Sequence, residues 1–278
     1  MHKVLSIFFL IITFLFSQRP ASACTIFYCC RGDKVLVGNN EDWKYNTDVE
    51  IWFVSSSKNN YGRVCLGWKQ LYIFRQAQGG MNDQGLFFDW AMCPESEPPK
   101  FSFNKKIAAF NLPENLLAQC ATVEEAVAWL KKYNILGIRS HILLGDKGGN
   151  SAVVEWVNGE MNVLQRQNDC QVMTNFWLSH PELGNYPCSR YDKVTEMLKH
   201  ENVISVDYFK SILELVSTYE RDEKGEESGT IYSNIYDLVR GDIYIYYKRN
   251  FENSIKINLV TELKKGKHTY KLRRLLRR

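Results

Sequence analysis

The chain has 278 residues, of which 45% are hydrophobic and 24% charged, a composition that argues against disorder and suits one large domain or two small ones. The formal net charge of +4 hides an uneven distribution, because eight basic and no acidic residues lie at positions 264–278. Between positions 24 and 263, 25 basic residues face 31 acidic ones. This acidic balance argues against a nucleic-acid-binding surface.

The first 23 residues have the layout of a secretion signal. Val4–Phe16 is an apolar run of 13 residues, and Ala21 and Ala23 occupy the two positions where signal peptidase needs small side chains. The run is too short to span a bilayer well, and no later run reaches the roughly 18 apolar residues of a membrane helix. We therefore predict a signal peptide over residues 1–23, export after cleavage before Cys24 (periplasmic or secreted), and no transmembrane segment in the mature chain.

Cleavage at this site would make Cys24 the first residue of the mature protein. Such a residue carries a thiol together with an α-amine whose ordinary pKa is about 7.7–8.0, so the nucleophile would bring its own base and need no histidine. Two other interpretations stay open. Cys24 is either a buried or disulfide-bonded cysteine, or a lipobox cysteine that is acylated, although a lipobox usually has Leu where this chain has Ala21.

The seven remaining cysteines indicate no disulfide framework and no Cys-x-x-Cys metal pair. Cys29 and Cys30 are adjacent in a predicted strand, so their side chains face opposite ways. We predict several buried thiols and one bridge whose partners the spacing does not identify. The histidines lack paired metal-ligand spacing and there is no phosphate-binding glycine loop, so we predict neither a metal nor a cofactor.

The first predicted elements form a hairpin, with strands at Thr25–Cys30 and Lys34–Gly38 around a turn at 31–33. Asp42 follows the second strand and would return beside the chain start, where a carboxylate can accept a hydrogen bond from the α-amine. A turn aspartate that caps its own backbone is the competing interpretation. Further strands are predicted at Glu50–Ser55, Gln70–Arg75 and Leu86–Trp90, with a turn-rich segment at 79–85.

Helices and strands then alternate in groups. Thr122 and Glu125 form a capping box before an amphipathic helix, and Ser189 and Ser205 are predicted to begin two more helices. Predicted strands in the second half are Ser140–Leu144, Ser151–Val157, Met161–Arg166, Gln171–Thr174, Thr230–Leu238, Asp242–Tyr247 and Ser254–Leu259. His141 lies in an apolar strand, which is typical of a satisfied core histidine. This order suits sheets packed together with helices outside them. The basic tail at 264–278 is either a solvated end, which is the commoner case and our prediction, or a patch for an anionic surface.

Several short motifs occur in the order found in one known family: Cys24-Thr25, Gly38-x-Asn40-x-Asp42-Trp43, Met81-Asn82-Asp83-Gln84-Gly85-Leu86, Val172-Met173-Thr174-Asn175, Ser189-Arg190-Tyr191 and Thr230-Ile231-Tyr232-Ser233. The set resembles the choloylglycine hydrolase family of linear-amide hydrolases and its acyl-coenzyme A:6-aminopenicillanate acyltransferase relatives, over residues 24 to about 263. The resemblance implies an N-terminal-nucleophile hydrolase domain at 24–263. Its fold class would be α+β, a four-layer αββα sandwich of two antiparallel sheets.

The resemblance also implies roles for individual residues. Cys24 would attack an amide carbonyl, and Asp42 would bind and orient its α-amine. Asn175 would donate its side-chain N–H to the oxyanion, and Arg190 would order the site and favour the thiolate. Without the resemblance, a strand-end turn residue and a surface ion pair would be the better interpretations of Asn175 and Arg190.

The chain also departs from the bile-salt hydrolases. Those enzymes carry Arg where this chain has Asn39, which makes a bile-salt substrate doubtful. They have a second oxyanion donor in a Leu-Asn-Phe segment directly after the position of Leu86, where this chain reads Phe87-Phe88-Asp89, so we assign no second donor. We assign Asn82, Phe88 and Trp90 to substrate binding, although aromatic residues in strands more often belong to a core.

The sequence therefore predicts an exported amidohydrolase that cleaves a small-molecule N-acyl amide through an acyl-thioester on Cys24. Three alternatives stay open. One is an acyltransferase of the same fold, in which an amine instead of water takes the acyl group. The others are a lipid-anchored binding protein that uses Cys24 as its anchor, and a catalytically inactive relative.

Overall fold

The computed structural model describes residues 24–70, 74–108, 111–135 and 139–275. The predicted signal peptide therefore lies outside the described residues. In chain order, the strands are β1 (Thr25–Arg31), β2 (Lys34–Lys44), β3 (Glu50–Val54), β4 (Arg63–Gln70), β5 (Phe74–Asn82), β6 (Leu86–Met92), β7 (Lys106–Ile107), β8 (Tyr133–Asn134), β9 (Ser140–Asp146), β10 (Ser151–Val157), β11 (Glu160–Gln165), β12 (Cys170–Met173), β13 (Tyr219–Arg221), β14 (Glu227–Asp237), β15 (Asp242–Tyr247), β16 (Asn250–Asn258) and β17 (His268–Lys271).

The helices are fewer than the strands in the described part of the chain. They are α1 (Leu112–Gln119), α2 (Val123–Leu130), α3 (Ser189–His200), α4 (Val206–Leu215), α5 (Leu259–Leu263) and α6 (Leu272–Leu275), with a 3-10 turn at Pro181–Leu183. Among the residues that the structure describes, no helix has the length and apolar character needed to cross a membrane.

Two antiparallel sheets make up the centre of the fold. One has the strand order β12-β1-β2-β14-β15-β16, with β13 paired to β14, and the other has the order β11-β10-β9-β6-β5-β4-β3-β17. Strands β7 and β8 form a separate parallel pair. Helices α1 and α2 cover the outer face of the eight-stranded sheet, while α3 and α4 cover the seven-stranded sheet. The predicted αββα sandwich is confirmed.

The period-two alternation of each strand divides its side chains between two cores. On β1, Ile26 and Tyr28 are buried between the sheets, whereas Phe27 packs against α3 and α4. On β6, Phe87 is buried between the sheets, whereas Phe88 faces α1 and α2. This alternation decides which predicted residues can lie near the nucleophile.

Two of the predicted helix starts are confirmed by their caps. Thr122 accepts a hydrogen bond from the backbone N–H of Glu125, and Ser205 accepts one from Tyr208. The third prediction is displaced by one residue. Cys188 occupies the N-cap position of α3 without a side-chain cap, and Ser189 is the first helical residue.

The prediction around residues 70–85 is wrong in its boundaries. The interval predicted as the strand Gln70–Arg75 is where β4 ends and β5 begins, with residues 71–73 outside the described part. The segment that looked turn-rich belongs to β5 as far as Asn82. Its glycines serve close packing instead of turning, since a Cβ on Gly80 would lie 2.3 Å from the carbonyl oxygen of Val64.

A single disulfide is present among the described cysteines, between Cys29 on β1 and Cys170 on β12. It confirms the prediction of one bridge and identifies its partners. The chain end also differs from the prediction, because β17 pairs with β3 at the edge of the eight-stranded sheet and Leu272 is fully buried. The segment predicted as a solvated tail therefore packs on the domain as far as Leu275.

Candidate active site

Cys24 lies immediately before β1, at one end of the space between the two sheets. It shares its side with Ile26 and Tyr28, and only 2% of its surface is exposed. Its Sγ atom lies 4.0 Å from the backbone oxygen of Asp42 on the neighbouring strand. The hairpin predicted from the sequence thus brings the backbone of Asp42 beside Cys24.

Asp42 lies inside β2, not past its end, because the strand continues to Lys44. Its carboxylate is fully buried, and Oδ2 accepts a hydrogen bond of 2.9 Å from the hydroxyl of Thr218. Burial raises the pKa of Asp42 to about 7, against the lowering effect of its hydrogen bonds and of the Arg190 and Arg249 charges. A nearby cation would stabilise the charged form of this buried carboxylate and lower its pKa.

Arg190, in the first turn of α3, joins the segment that begins β1 to the loop that follows β12. Its Nη1 atom donates to the backbone oxygen of Cys24 and to the hydroxyl of Thr25, both at 2.7 Å. Its Nη2 atom donates to Oδ1 of Asn175 at 3.2 Å. The structure therefore brings together Cys24, Asn175 and Arg190.

Asn175 is held in one orientation by its neighbours. Its Oδ1 accepts from Arg190, and its Nδ2 donates to the backbone oxygen of Met92 at 2.9 Å. The backbone oxygen of Asn175 accepts from the side chain of Asn185 at 2.8 Å. An amide nitrogen carries two hydrogens, so the Met92 contact leaves Asn175 the capacity to donate to an oxyanion.

The three residues predicted to bind substrate lie outside this arrangement. Phe88 and Trp90 belong to the layer under α1 and α2, on the opposite face of their sheet from the thiol. Asn82 is saturated by backbone groups, since its Nδ2 donates to Leu117 and Cys120 and its Oδ1 accepts from Leu86. Strand alternation puts the odd-numbered residues of β6, not Phe88 and Trp90, on the side of Cys24.

A family model described as acyl-coenzyme A:6-aminopenicillanic acid acyl-transferase matches residues 29–252. The chain belongs to this family. The resemblance seen in the sequence motifs is thereby confirmed. The matched residues include Asp42, Asn175 and Arg190 and begin after Cys24.

Individual relatives agree with the family assignment. A penicillin V acylase from Pectobacterium atrosepticum is 25% identical over 172 residues, which cover 51% of this chain and about half, 46%, of that protein. Two solved structures share the fold. A variant of conjugated bile acid hydrolase from Clostridium perfringens is 20% identical, with a TM-score of 0.68 over 89% of this chain and 96% of that one. Penicillin V acylase from Agrobacterium tumefaciens is 22% identical, with a TM-score of 0.70 over 90% and 92%.

In this family member, the loop that carries Asn175 rests on a buried polar pair. His141 and Glu155 are both fully buried, and Nδ1 of His141 lies 3.0 Å from the Glu155 carboxylate. Nε2 of His141 lies 2.6 Å from the backbone oxygen of Thr174, so both ring nitrogens face acceptors and both can donate only in the doubly protonated ring. Glu155 also accepts the backbone N–H groups of Leu178 and Ser179. His141 is thus a satisfied core histidine, as predicted, and it anchors the loop on both sides of Asn175.

Burial opposes the charge on Glu155, but its hydrogen bonds with His141 and Ser179 hold its pKa below the ordinary value.

We expect His141→Gln to lower kcat about tenfold with little change in KM, because one amide cannot bond both acceptors and the Asn175 loop would lose one anchor. Steady-state kinetics on an amide substrate would measure this split. His268→Gln is the matched control, since His268 also contacts a carboxylate, Glu262 at 2.9 Å, near the chain end. Equal losses in both variants would contradict a positioning role.

Sequence reasoning missed three polar residues on the same side as the thiol: Glu41, Asp89 and Tyr232. All are at most 3% exposed. Burial and the adjacent Asp42 raise the pKa of Glu41 to about 8, with a lowering contribution from hydrogen bonding to Cys24. The signal that could have found Glu41 was present, because the alternation of β2 puts its odd-numbered residues on the side of Cys24. Trp43 follows the same alternation and stacks on Trp68, with ring centroids 5.7 Å apart.

Proposed function

We propose that the precursor is exported, that removal of residues 1–23 exposes the α-amine and thiol of Cys24, and that the mature protein hydrolyses a linear amide C–N bond. One observation carries the proposal. Arg190 binds the backbone of Cys24 and the side chain of Asn175 together, beside a buried Asp42. An attacking group, an orienting acid and an amide donor therefore lie at one end of the sandwich.

The proposed reaction has two stages. In the first, Sγ of Cys24 bonds to the carbonyl carbon while its proton passes to the α-amine, and Asn175 donates to the developing oxyanion. The C–N bond then breaks, the proton moves to the leaving amine, and an acyl-thioester remains. In the second stage, water adds to the thioester, and the thiol leaves with the return of a proton.

The names of the relatives support amide chemistry but not one substrate. The solved relatives are described as a conjugated bile acid hydrolase and a penicillin V acylase. The family description adds acyl transfer as the second candidate, in which an amine takes the place of water at the thioester. Asn39 replaces the Arg of the bile-salt enzymes, so we propose a substrate other than a bile salt.

A substrate panel tests this proposal. Mature protein beginning at Cys24 is incubated with N-acyl amines, penicillin V and conjugated bile acids, and amine release is measured with and without an added amine acceptor. We expect release from at least one N-acyl amine or penicillin V, with weaker release from bile acids. A lipid-anchored binding protein or an inactive relative would release no amine from any substrate, and product made only with the acceptor present would identify an acyltransferase.

A further inference from the structure

A buried acidic group lies between the two sheets next to the candidate nucleophile. Glu41 on β2, Asp89 on β6 and Tyr232 on β14 come from three strands and are at most 3% exposed. Within the described part of the chain, one oxygen of Glu41, both carboxylate oxygens of Asp89 and the hydroxyl of Tyr232 have no hydrogen-bond partner. Buried polar groups are normally satisfied, so a set of unsatisfied ones beside the candidate nucleophile indicates a place for a ligand.

Register and packing show that these groups face one another. Glu41 and Tyr232 are direct partners across β2 and β14, while Thr25 pairs with Asn40, which places Cys24 alongside Glu41. Asp89 approaches from the opposite sheet, where its carboxylate lies over Gly79. A Cβ on Gly79 would be 2.1 Å from Oδ2 of Asp89, so a larger residue at this position would displace the carboxylate.

The ionisable side chains in this group are all acidic. Burial raises the pKa of Asp89 well above its ordinary range, and the neighbouring Glu41 raises it further. Elsewhere in the domain, the buried carboxylate of Glu50 pairs with Arg75 at 2.7 Å. The carboxylates at positions 41 and 89 have no such ion pair within the described residues. A cation placed between them would be stabilised by two carboxylates and a phenol oxygen in a region of low dielectric.

We propose that Glu41 and Asp89 bind a cationic nitrogen carried by the acyl part of the substrate. An ammonium group has three donors, which match Glu41, Asp89 and the oxygen of Tyr232. The thiol would bond to the carbonyl carbon of the substrate, and Glu41 lies beside this thiol. The cationic nitrogen would therefore be separated from the carbonyl carbon by only a few bonds. The substrate class is therefore amides of amino acids with a free α- or β-amino group. This inference rests on the proposed function and specifies its substrate.

Isosteric substrates test the inference directly. Coumarin amides of glycine and β-alanine are compared with those of propionic and butyric acid, which replace the ammonium by a methyl group. We expect kcat/KM of mature protein to be about 30-fold higher for the ammonium member of each pair, the size of a buried charged hydrogen bond. Equal or faster hydrolysis of the methyl members would overturn the inference. So would release of amine from other N-acyl amides without release from either amino acid amide.

Variants locate the effect. Glu41→Gln and Asp89→Asn preserve shape, and we expect each to reduce the preference for the ammonium member about tenfold or more. Asp237→Asn is the control, because Asp237 is a buried acid on the same sheet but pairs with Leu36 at the far end of β2. The site would be refuted if the ratio of kcat/KM for the ammonium substrate to that for the methyl substrate were unchanged in both site variants. It would also be refuted if this ratio fell equally in the control. Thermal unfolding confirms that each variant is folded.

A binding measurement separates this inference from the proposed function. β-Alaninamide and butyramide are titrated into mature Cys24→Ala protein by calorimetry in two buffers of different ionisation enthalpy. We expect β-alaninamide to bind at least about tenfold more tightly and to release protons, because a bound cation favours the charged carboxylates. If no amide is hydrolysed but this selectivity is found, the proposed function fails and the site stands. Equal binding of the two amides, or none, would refute the site.

Discussion

Replacing Cys24 by Ser is expected to abolish amide hydrolysis, lowering kcat by about 1000-fold or more. A serine hydroxyl is far less acidic than a thiol, whose ordinary pKa is about 8.5, and the α-amine alone is a weak base for activating it. The substitution changes one atom in a residue with 2% exposure, so the fold should persist. Amine release and labelling by a thiol-directed acylating probe would both be measured.

The control for Cys24 is another buried thiol. Cys65 lies on β4 in the layer that faces α1 and α2, away from the candidate site. We expect Cys65→Ala to keep both hydrolysis and probe labelling, although its stability will fall. If Cys24→Ser retained hydrolysis at a comparable rate, or if labelling moved with Cys65, the nucleophile would have to be sought elsewhere.

The second large effect is expected at Asn175. Asn175→Ala should lower kcat about 100- to 1000-fold, because one oxyanion donor contributes about 3–4 kcal/mol to the barrier. KM should change little, since the donor acts mainly on the charge that develops in the transition state. Rapid-quench measurement of the first turnover would show whether formation of the acyl-enzyme is the step that slows.

A matched asparagine separates this effect from general damage. Asn150 lies in the turn between β9 and β10, and its side-chain Nδ2 donates to the carboxylate of Asp146 at 3.4 Å. Asn150→Ala should affect stability but leave kcat within about threefold of the wild-type value. Arg190→Lys should resemble Asn175→Ala, because lysine cannot hold the backbone of Cys24 and Oδ1 of Asn175 in one planar fork. Asn175→Ala with a raised KM and an unchanged kcat would contradict the oxyanion role.

The sequence predicted correctly those elements that depend on interactions between residues close together in the chain. The cap residues Thr122 and Ser205 identified helix starts, because a side chain that bonds a nearby backbone N–H acts within one turn. Such signals were misleading for Gly79 and Gly80. These glycines lie in β5 and are needed where a neighbouring strand or carboxylate approaches closely, a contact that depends on residues distant in sequence.

The candidate site was predictable where it depended on ordered motifs and unpredictable where it depended on which face a strand presents. Asn175 and Arg190 follow separate motifs, and the structure joins them. Phe88 and Trp90 were assigned to the site from their aromatic character, but they face the helices α1 and α2. The group formed by Glu41, Asp89 and Tyr232 was not predicted, because its members come together only through the pairing of β2 with β14 and the packing of the two sheets. Neither can be derived from one segment alone.

The chemistry proposed for this family member needs a free amino terminus on Cys24. Intact-mass analysis and amino-terminal sequencing of the protein purified from the exported fraction test this requirement most directly. We predict a chain that begins at Cys24 with an unmodified amine and thiol. A chain that begins at another residue, or that carries a diacylglycerol or acyl group on Cys24, would contradict the proposed amidase while leaving the sandwich fold intact.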